Sequence, residues 1–152
     1  MMISPEVLRR FALFGGLDPA LFKELAMLGE EVDLEAGDWL FQEGENADSL
    51  YLVLEGQIDL TIRYGEDDDP QYEDLDQLVT GDFVGFSALV EPYVFTLGAS
   101  AATDARLVQL DAEGLRQFFA VHGEAGYRVM MQLAKGIGER LNNMRVRFVS
   151  LV

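Results

Sequence analysis

A glycine-containing turn between Gly81 and Thr96 is the segment best suited to bind an anion. It reads GDFVGFSALVEPYVFT and joins a loop to a short apolar helical stretch. Backbone N–H groups at the start of such a stretch can face a phosphate, because they have no partners within the helix. The turn has no Arg, Lys or His, and no basic residue occurs between Arg63 and Arg106. The sequence therefore indicates a phosphate cradle that lacks its own cation.

Residues that bind metal ions or act as nucleophiles are scarce in this sequence. It contains no cysteine and one histidine, His122. This composition excludes disulfides, iron–sulfur clusters, thiolate zinc sites, cysteine nucleophiles and histidine-rich metal centres. His122 stands in AVHGE, a connection between two predicted helices, which indicates a surface or helix-end position. We therefore expect a protein that is not an enzyme and that has no metal site.

The acidic segment from Gly65 to Gln77, GEDDDPQYEDLDQ, offers several carboxylates to a hard cation. Calcium is one interpretation, but the segment lacks the Asp-x-Asp-x-Asp-Gly…Glu order of an EF-hand loop. A solvated hairpin tip is the simpler interpretation and the one that we expect.

Length and composition indicate one soluble domain. The chain has 152 residues, of which 49% are hydrophobic, enough for one folded core. Its formal net charge is −16, so most of its surface should repel nucleic acid. The N-terminal segment does not have the pattern of a signal peptide, and no window is apolar enough to span a membrane. We expect a cytoplasmic protein with no nucleic-acid or membrane partner.

Three regions follow one another along the chain. Residues 1–30 predict short N-terminal helices, the first over residues 5–14. Asp18 followed by Pro19 predicts the cap and first turn of a second helix. Residues 31–110 predict a β-barrel, and residues 111–152 predict C-terminal helices that include a dimerisation helix.

The barrel region consists of short runs in which apolar and polar residues alternate. Glycine turns at Gly37, Gly44 and Gly56 separate these runs. In LYLVLE, which begins at Leu50, every second residue is leucine, as expected for a strand with one buried face. Short strands with frequent turns favour an antiparallel barrel or sandwich over a parallel sheet.

A long helix is predicted from about Glu124, after a shorter helix that Asp111 caps. Its apolar residues recur at alternating steps of three and four, which is a heptad pattern. The pattern comprises Tyr127, Met130, Ala134, Ile137, Leu141, Met144, Phe148 and Leu151. We predict a homodimer through this helix, with packing inside one chain as the alternative. Gly136 and Gly138 weaken the helix by roughly 1 kcal/mol each relative to alanine, but they let another backbone approach.

Basic residues concentrate on the same helix. Five of the eleven Lys and Arg residues fall between Arg128 and Arg147, where Glu139 is the single acidic residue. Runs of charge usually lie on solvated faces. We therefore expect these basic side chains to face solvent or to complement the acidic remainder of the chain.

The order of short helices, glycine-punctuated strands and a long helix resembles the cyclic nucleotide-binding domain of the cyclic-AMP receptor protein family. Four segments between about Val7 and Met144 carry the resemblance: LFGGLDPALFKELA, LEAGDWLFQEGENADSLYLVLEGQIDL, GDFVGFSALV and TDARLVQLDAEGLRQFF. The resemblance implies a mainly β fold with flanking helices. That fold is an antiparallel double-stranded β-helix, or jelly-roll-like barrel, with short N-terminal helices and a long C-terminal helix.

The resemblance also assigns the 81–96 turn, hereafter the cassette, to phosphate binding. In the family, a glutamate after the cassette glycine accepts from the ribose 2′-hydroxyl, and an arginine further on pairs with the phosphate. Here Gly85 matches the glycine, Phe86 the glutamate and Phe95 the arginine. Ser87 is expected to cap the short cassette helix. The candidate ligand-pocket residues are Gly85, Phe86, Ser87, Ala88, Tyr93, Phe95 and Thr96.

Two phenylalanines in these places change what the cassette can bind. The missing charge-assisted bond is worth about 1.5–3 kcal/mol and the missing hydroxyl bond about 1 kcal/mol, together about 10²-fold in affinity. We therefore do not expect tight binding of cyclic AMP or cyclic GMP in the usual mode. Phe86, Tyr93 and Phe95 either plug the pocket or line an apolar one.

The predicted function is a non-enzymatic regulatory or sensor module with a degenerate cassette, with a small-molecule effector or a regulatory protein as its partner. Two alternatives stay open: a genuine cyclic-nucleotide sensor with an altered cassette, and a dimeric protein-interaction scaffold with a filled pocket. Transcription factors of the family carry a helix-turn-helix domain after the long helix, and this sequence stops at Val152, where that domain would begin. We expect no direct promoter contact from this chain, whether it is a stand-alone sensor or a fragment.

Overall fold

Short helical turns precede the sheets in the computed structural model, which describes residues 2–151. The elements are helix α1 (Pro5–Leu8), two 3₁₀ turns (Ala12–Phe14 and Pro19–Leu21) and helix α2 (Phe22–Ala26). The predicted single helix over residues 5–14 was wrong, because Phe11 is extended (φ −95°, ψ 127°) between α1 and the first 3₁₀ turn. Both Phe11 and Phe14 are buried in the core on either side of this break.

In the described part of the chain, eight strands form two antiparallel sheets. The strands are β1 (Gly29–Leu34), β2 (Trp39–Phe41), β3 (Ser49–Glu55), β4 (Ile58–Glu66), β5 (Asp69–Leu78), β6 (Phe83–Val84), β7 (Gly98–Ala101) and β8 (Ala105–Asp111). The first sheet has the order β1-β8-β3-β6, and the second has the order β2-β7-β4-β5. Leu50 and Leu107 of the first sheet and Ile58 of the second are completely buried in one core. The predicted mainly β, antiparallel, jelly-roll-like fold is confirmed.

Glycine closes the predicted turns of the barrel. Gly37, Gly44 and Gly56 have φ angles of 94°, 87° and 91°. These values lie in the left-handed region, which glycine adopts without the penalty that a Cβ atom brings. At Gly56 a Cβ atom would also collide with the Asp104 carbonyl oxygen. The turn at Gly56 therefore needs glycine both for its conformation and for its close contact with the chain just before β8.

The acidic segment from Gly65 to Gln77 is strand over most of its length, so the predicted hairpin tip was too long. The pairing of β4 with β5 continues to Glu66 and Asp69, which leaves Asp67 and Asp68 as the turn. Backbone hydrogen bonds build this ladder, and most of the acidic side chains point into solvent. Among residues 2–151, no group of three or more histidine or acidic side chains is placed to hold a metal ion.

Two predicted helix caps are confirmed. The Asp18 carboxylate accepts a hydrogen bond from the Ala20 N–H at 3.0 Å, at the start of the second 3₁₀ turn. The Asp111 carboxylate accepts a hydrogen bond from the Gly114 N–H at 2.8 Å, at the start of helix α3 (Ala112–Val121). Each bond satisfies a backbone donor that has no partner inside its own helix.

Helix α4 (Gly123–Leu151) follows α3 and packs one face on the barrel. The buried residues of that face are Ala125, Gly126, Val129, Leu133 and Arg140. A Cβ atom at Gly136 would overlap the Phe83 ring, whereas the space around Gly138 is open. Gly136 thus allows a close approach inside this chain. Within residues 2–151, no helix has the length and hydropathy needed to cross a bilayer.

Candidate functional site

The cassette turns sharply at Gly85, directly after strand β6. Gly85 has φ 85° and ψ 45°, a left-handed conformation, and it caps a 3₁₀ helix that spans Phe86–Ala88. The prediction that Ser87 caps this helix was wrong, because Ser87 lies inside the helix and is buried. The capping position belongs to a residue without a side chain, and no side-chain cap bond forms.

Phe95, which stands at the position matched to the family's arginine, packs against the cassette glycine. Its side chain is 5% exposed. Its ring stacks on the Phe41 ring with 3.6 Å between centroids and 8° between planes. A Cβ atom at Gly85 would lie 3.0 Å from the Phe95 ring. The stacked rings of Phe41 and Phe95 therefore lie directly beside the cassette glycine.

A cavity of about 300 Å³ lies between the cassette and helix α4. Its walls come from the cassette, from neighbouring strand residues and from α4. The lining residues are Phe41, Leu60, Gly85, Phe86, Ser87, Phe95, Thr96, Leu97, Ile137, Arg140, Leu141 and Met144. The lining is predominantly apolar. Phe86 and Phe95, the two cassette phenylalanines, therefore form part of the wall of an open space.

Five of the seven predicted pocket residues line this cavity, namely Gly85, Phe86, Ser87, Phe95 and Thr96. The other two do not. Ala88, the last residue of the 3₁₀ helix, is completely buried. Tyr93 lies beneath the Arg116 guanidinium, with 4.0 Å from its ring centroid to the Arg116 Cζ atom.

Arg116 ties helix α3 to the cassette. Its Nη1 donates a hydrogen bond to the Ala88 carbonyl oxygen at 2.7 Å, while its guanidinium stacks on Tyr93. No local sequence pattern predicts this contact, because Arg116 belongs to the helix that follows the last strand. Its effect is to hold the back of the cassette helix in place.

Arg140 is the one cation that lines the cavity in the described part of the chain. Its guanidinium lies over the Phe83 ring at 4.1 Å and donates a hydrogen bond to the Phe83 carbonyl oxygen. Burial lowers the pKa of Arg140 to about 10. Because this value is still well above 7, the group stays charged at neutral pH. Of the two alternatives for the basic residues of this helix, solvent exposure is wrong at Arg140, which is buried and whose pKa the charges of Asp82 and Asp76 raise against the larger effect of burial. Its spacing from Leu133 and Gly136 on the barrel-facing stripe is the signal that locates it.

The predicted dimer residues form an apolar stripe along α4. Tyr127 is 68% exposed, Leu141 66% and Phe148 68%, and Met130 and Ala134 are also exposed. Ile137 and Met144 are half-buried, and both line the cavity, as Leu141 does. A single exposed apolar side chain is common on protein surfaces, but this stripe contains several. Apolar surface of this extent often marks an interaction site.

Comparison with known proteins identifies the family. The sequence profile of the cyclic nucleotide-binding domain matches residues 31–122, which is more than half of the chain. The chain belongs to the cyclic nucleotide-binding domain family. The matched region contains the cassette and helix α3, and α4 follows it. The resemblance inferred from the sequence motifs is confirmed.

Individual relatives agree with this assignment. The CRP-like cAMP-activated global transcriptional regulator of Mycobacterium tuberculosis is 27% identical over 139 residues, 91% of this chain and 61% of the relative. The Pycsar effector protein BcPycTIR of Burkholderia cepacia is 27% identical over 136 residues, 89% of this chain and 42% of the relative. The chain thus spans less than two thirds of the length of these relatives.

Solved structures show the same architecture. A protein described as cyclic nucleotide-binding from Geobacter metallireducens GS-15 has 31% identity and a TM-score of 0.80, over 92% of this chain and 99% of its own. The N-terminal domain of a transcriptional regulator from Streptomyces coelicolor A3(2) has 30% identity and a TM-score of 0.67, over 91% and 94%.

Proposed function

We propose that this chain is a non-enzymatic regulatory module that responds to occupancy of the cavity between the cassette and α4. In this proposal the cassette does not hold cyclic AMP or cyclic GMP tightly in the usual mode. The module works in the cytoplasm as a homodimer, and it does not itself contact nucleic acid or a membrane.

The stacked ring of Phe95 is the observation that carries this proposal. A cyclic phosphate held in the usual mode would have to bind next to Gly85, where the Phe41 and Phe95 rings are stacked. It would also lack the charge-assisted bonds of the family's arginine, which contribute about 1.5–3 kcal/mol. The net charge of −16 adds long-range repulsion against an anionic ligand that reaches the cassette.

Helix α4 supports a regulatory role because its residues belong to two surfaces at once. Ile137, Leu141 and Met144 line the cavity and also belong to the heptad stripe. A ligand that fits the cavity better in one position of α4 shifts the population toward that position. A dimer built on the stripe would pass this shift to the partner chain. The open cavity favours this role over a scaffold whose pocket is filled.

A thermal-shift screen tests the proposal. The intact chain is heated with cyclic AMP, with cyclic GMP and with a small library of apolar compounds. We expect no rise in melting temperature at micromolar nucleotide, and a rise with apolar compounds that fit the cavity, since a ligand that binds only the folded state stabilises it. A rise at micromolar cyclic nucleotide would contradict the proposal.

A matched pair of variants shows whether the response comes from this cavity. Met144→Trp places a larger side chain at the cavity wall, whereas Met131→Trp makes the same change at an exposed position of α4 outside it. We expect the first variant to lose the response to apolar compounds and the second to keep it. If both variants keep it, the ligand binds elsewhere.

A further inference from the structure

Arg140 is buried but has no carboxylate partner. It is 9% exposed, and in residues 2–151 no carboxylate lies within 4.0 Å of its guanidinium. A guanidinium has five N–H donors, and the Phe83 carbonyl accepts from one of its nitrogens. Asp76 and Asp82 share a neighbouring pocket with Arg140, beyond ion-pairing distance. Burial lowers the pKa of Arg140, and the charges of Asp82 and Asp76 raise it from this longer range. No carboxylate contacts the buried guanidinium, so its remaining N–H donors can bind an anion.

The rest of the cavity wall has the opposite chemistry. Its side chains are almost all aromatic or aliphatic, and in the described residues no acidic side chain lines it. Among residues 2–151, Ser87 and Thr96 supply the only hydroxyl groups of the wall. Such a wall satisfies few of the hydrogen bonds that a ribose and a purine would lose on leaving water. It suits a ligand with an apolar body and one charged end.

We propose that Arg140 binds the carboxylate of a small apolar acid whose hydrocarbon or aromatic body fills the cavity. This inference rests on the proposed function and names the ligand class for it. A planar guanidinium can bind a carboxylate through two parallel N–H···O bonds. A volume of about 300 Å³ lies at the small end of the range for ligand pockets. A carboxylate and a cyclic phosphodiester each carry one negative charge, so the protein's negative field does not distinguish them, and the apolar wall favours the acid.

Binding of the acid to Arg140 can change how α4 contacts the barrel. The guanidinium belongs to α4, whereas its stacking partner Phe83 belongs to β6, directly before the cassette. An anion on Arg140 would draw the guanidinium toward the cavity and compete with its bond to the Phe83 carbonyl. The ligand would thus act on the contact through which α4 rests on the barrel.

Calorimetry with matched acids and alcohols tests this inference on the intact chain. The probes are hexanoate, octanoate, decanoate and 4-phenylbutyrate, each compared with the corresponding alcohol. We expect at least one acid to bind about 10- to 100-fold more tightly than its alcohol, as a charge-assisted hydrogen bond predicts. Arg140→Met should remove this preference. Arg145→Met makes the same charge change at an exposed position and should leave it intact.

The wild-type comparison of acid with alcohol tests the preference for an acid even if Arg140→Met fails to fold. Equal binding of acid and alcohol would overturn the role of Arg140 and leave the cavity's sensing role standing. Failure of every acid and every alcohol to bind would overturn both. Binding of cyclic AMP that is lost in Arg140→Met would overturn the choice of an apolar acid, because the anion held by Arg140 would then be a phosphate. An acid preference that survives in Arg140→Met would assign the carboxylate to another cation.

Discussion

Replacing Phe86 by glutamate and Phe95 by arginine would give the cassette the two side chains that the family uses for cyclic nucleotides. We expect the double variant to bind cyclic AMP about 10²-fold more tightly than the wild-type chain. The arginine contributes a charge-assisted hydrogen bond of about 1.5–3 kcal/mol, and the glutamate contributes about 1 kcal/mol through the ribose hydroxyl.

The same substitutions should cost stability, and the cost falls mainly on one residue. Phe95 is 5% exposed and stacks on Phe41, whereas Phe86 is half-buried. Truncating a buried phenylalanine to alanine costs about 3–5 kcal/mol in folding free energy. Phe95→Arg should cost a similar amount, because it removes the same ring and places a charge in the core. Cyclic AMP at 100 times its dissociation constant should restore about 2.7 kcal/mol. The variant should therefore melt at a lower temperature and respond more strongly to ligand.

Isothermal titration of wild-type and variant chains with cyclic AMP measures the gain. Phe86→Ala with Phe95→Ala is the control, because it removes both rings without supplying polar partners. The reasoning predicts a gain for the Glu and Arg pair that the alanine pair does not share. Equal affinities of the wild-type chain and the Glu and Arg variant for cyclic AMP would refute this reasoning. If the double variant does not fold, Phe86→Glu alone is compared with the wild-type chain.

Three further predictions concern the helix and one acidic group. Phe148→Asp should convert the dimer to a monomer, because it places a charge in the predicted coiled-coil seam; light scattering that still gives twice the mass of one chain would contradict the dimer. Gly136→Val should destabilise the fold by about 1–3 kcal/mol, because its side chain would overlap the Phe83 ring. Gly138→Ala should stabilise the fold by up to about 1 kcal/mol, because the space there is open and alanine favours the helix. Urea unfolding that ranks the two variants in the reverse order would contradict the packing of α4. Burial first, and then the charge of a neighbouring carboxylate, raise the pKa of Asp59 above 3.8. Asp59 therefore stabilises the fold below its unfolded pKa and loses that contribution as pH rises through its folded pKa. Asp59→Asn should raise the melting temperature at neutral pH and not at about pH 3, and an equal effect at both values would argue against the raised pKa.

Most of the fold follows from short-range patterns. Gly37, Gly44 and Gly56 mark turns because their positive φ angles favour glycine, and each is found in such a turn. Asp18 and Asp111 mark helix starts because a carboxylate there accepts free backbone N–H groups. These signals depend on a few neighbouring residues, so they can be detected without knowing the tertiary structure.

The misplaced elements are those in which local composition and backbone pairing disagree. The acidic content of residues 65–77 suggested a solvated loop, but the partner strand β4 supplies the backbone bonds that make most of it β5. Residues 5–14 have apolar residues at helical spacing, but the extended Phe11 breaks the helix. In both segments a contact or a backbone angle that the sequence does not encode locally decides the structure.

The candidate site was predicted only where its residues are close in sequence. The cassette glycine and both phenylalanines lie within one short segment, and the motif order placed them. Arg140 lies more than forty residues further along, on helix α4. The heptad pattern of that helix predicts the dimer stripe, which does not include Arg140. Its role depends on how α4 crosses the barrel at Phe83, and that crossing is a tertiary contact. Sequence periodicity alone does not specify it.

A crystal structure grown with millimolar cyclic AMP would test most directly whether this cassette holds a cyclic nucleotide. We predict that the Phe41 and Phe95 rings stay stacked and that no cyclic phosphate lies against the backbone amides that follow Gly85. Density for a cyclic phosphate bound to those amides, with Phe95 displaced from Phe41, would contradict the account.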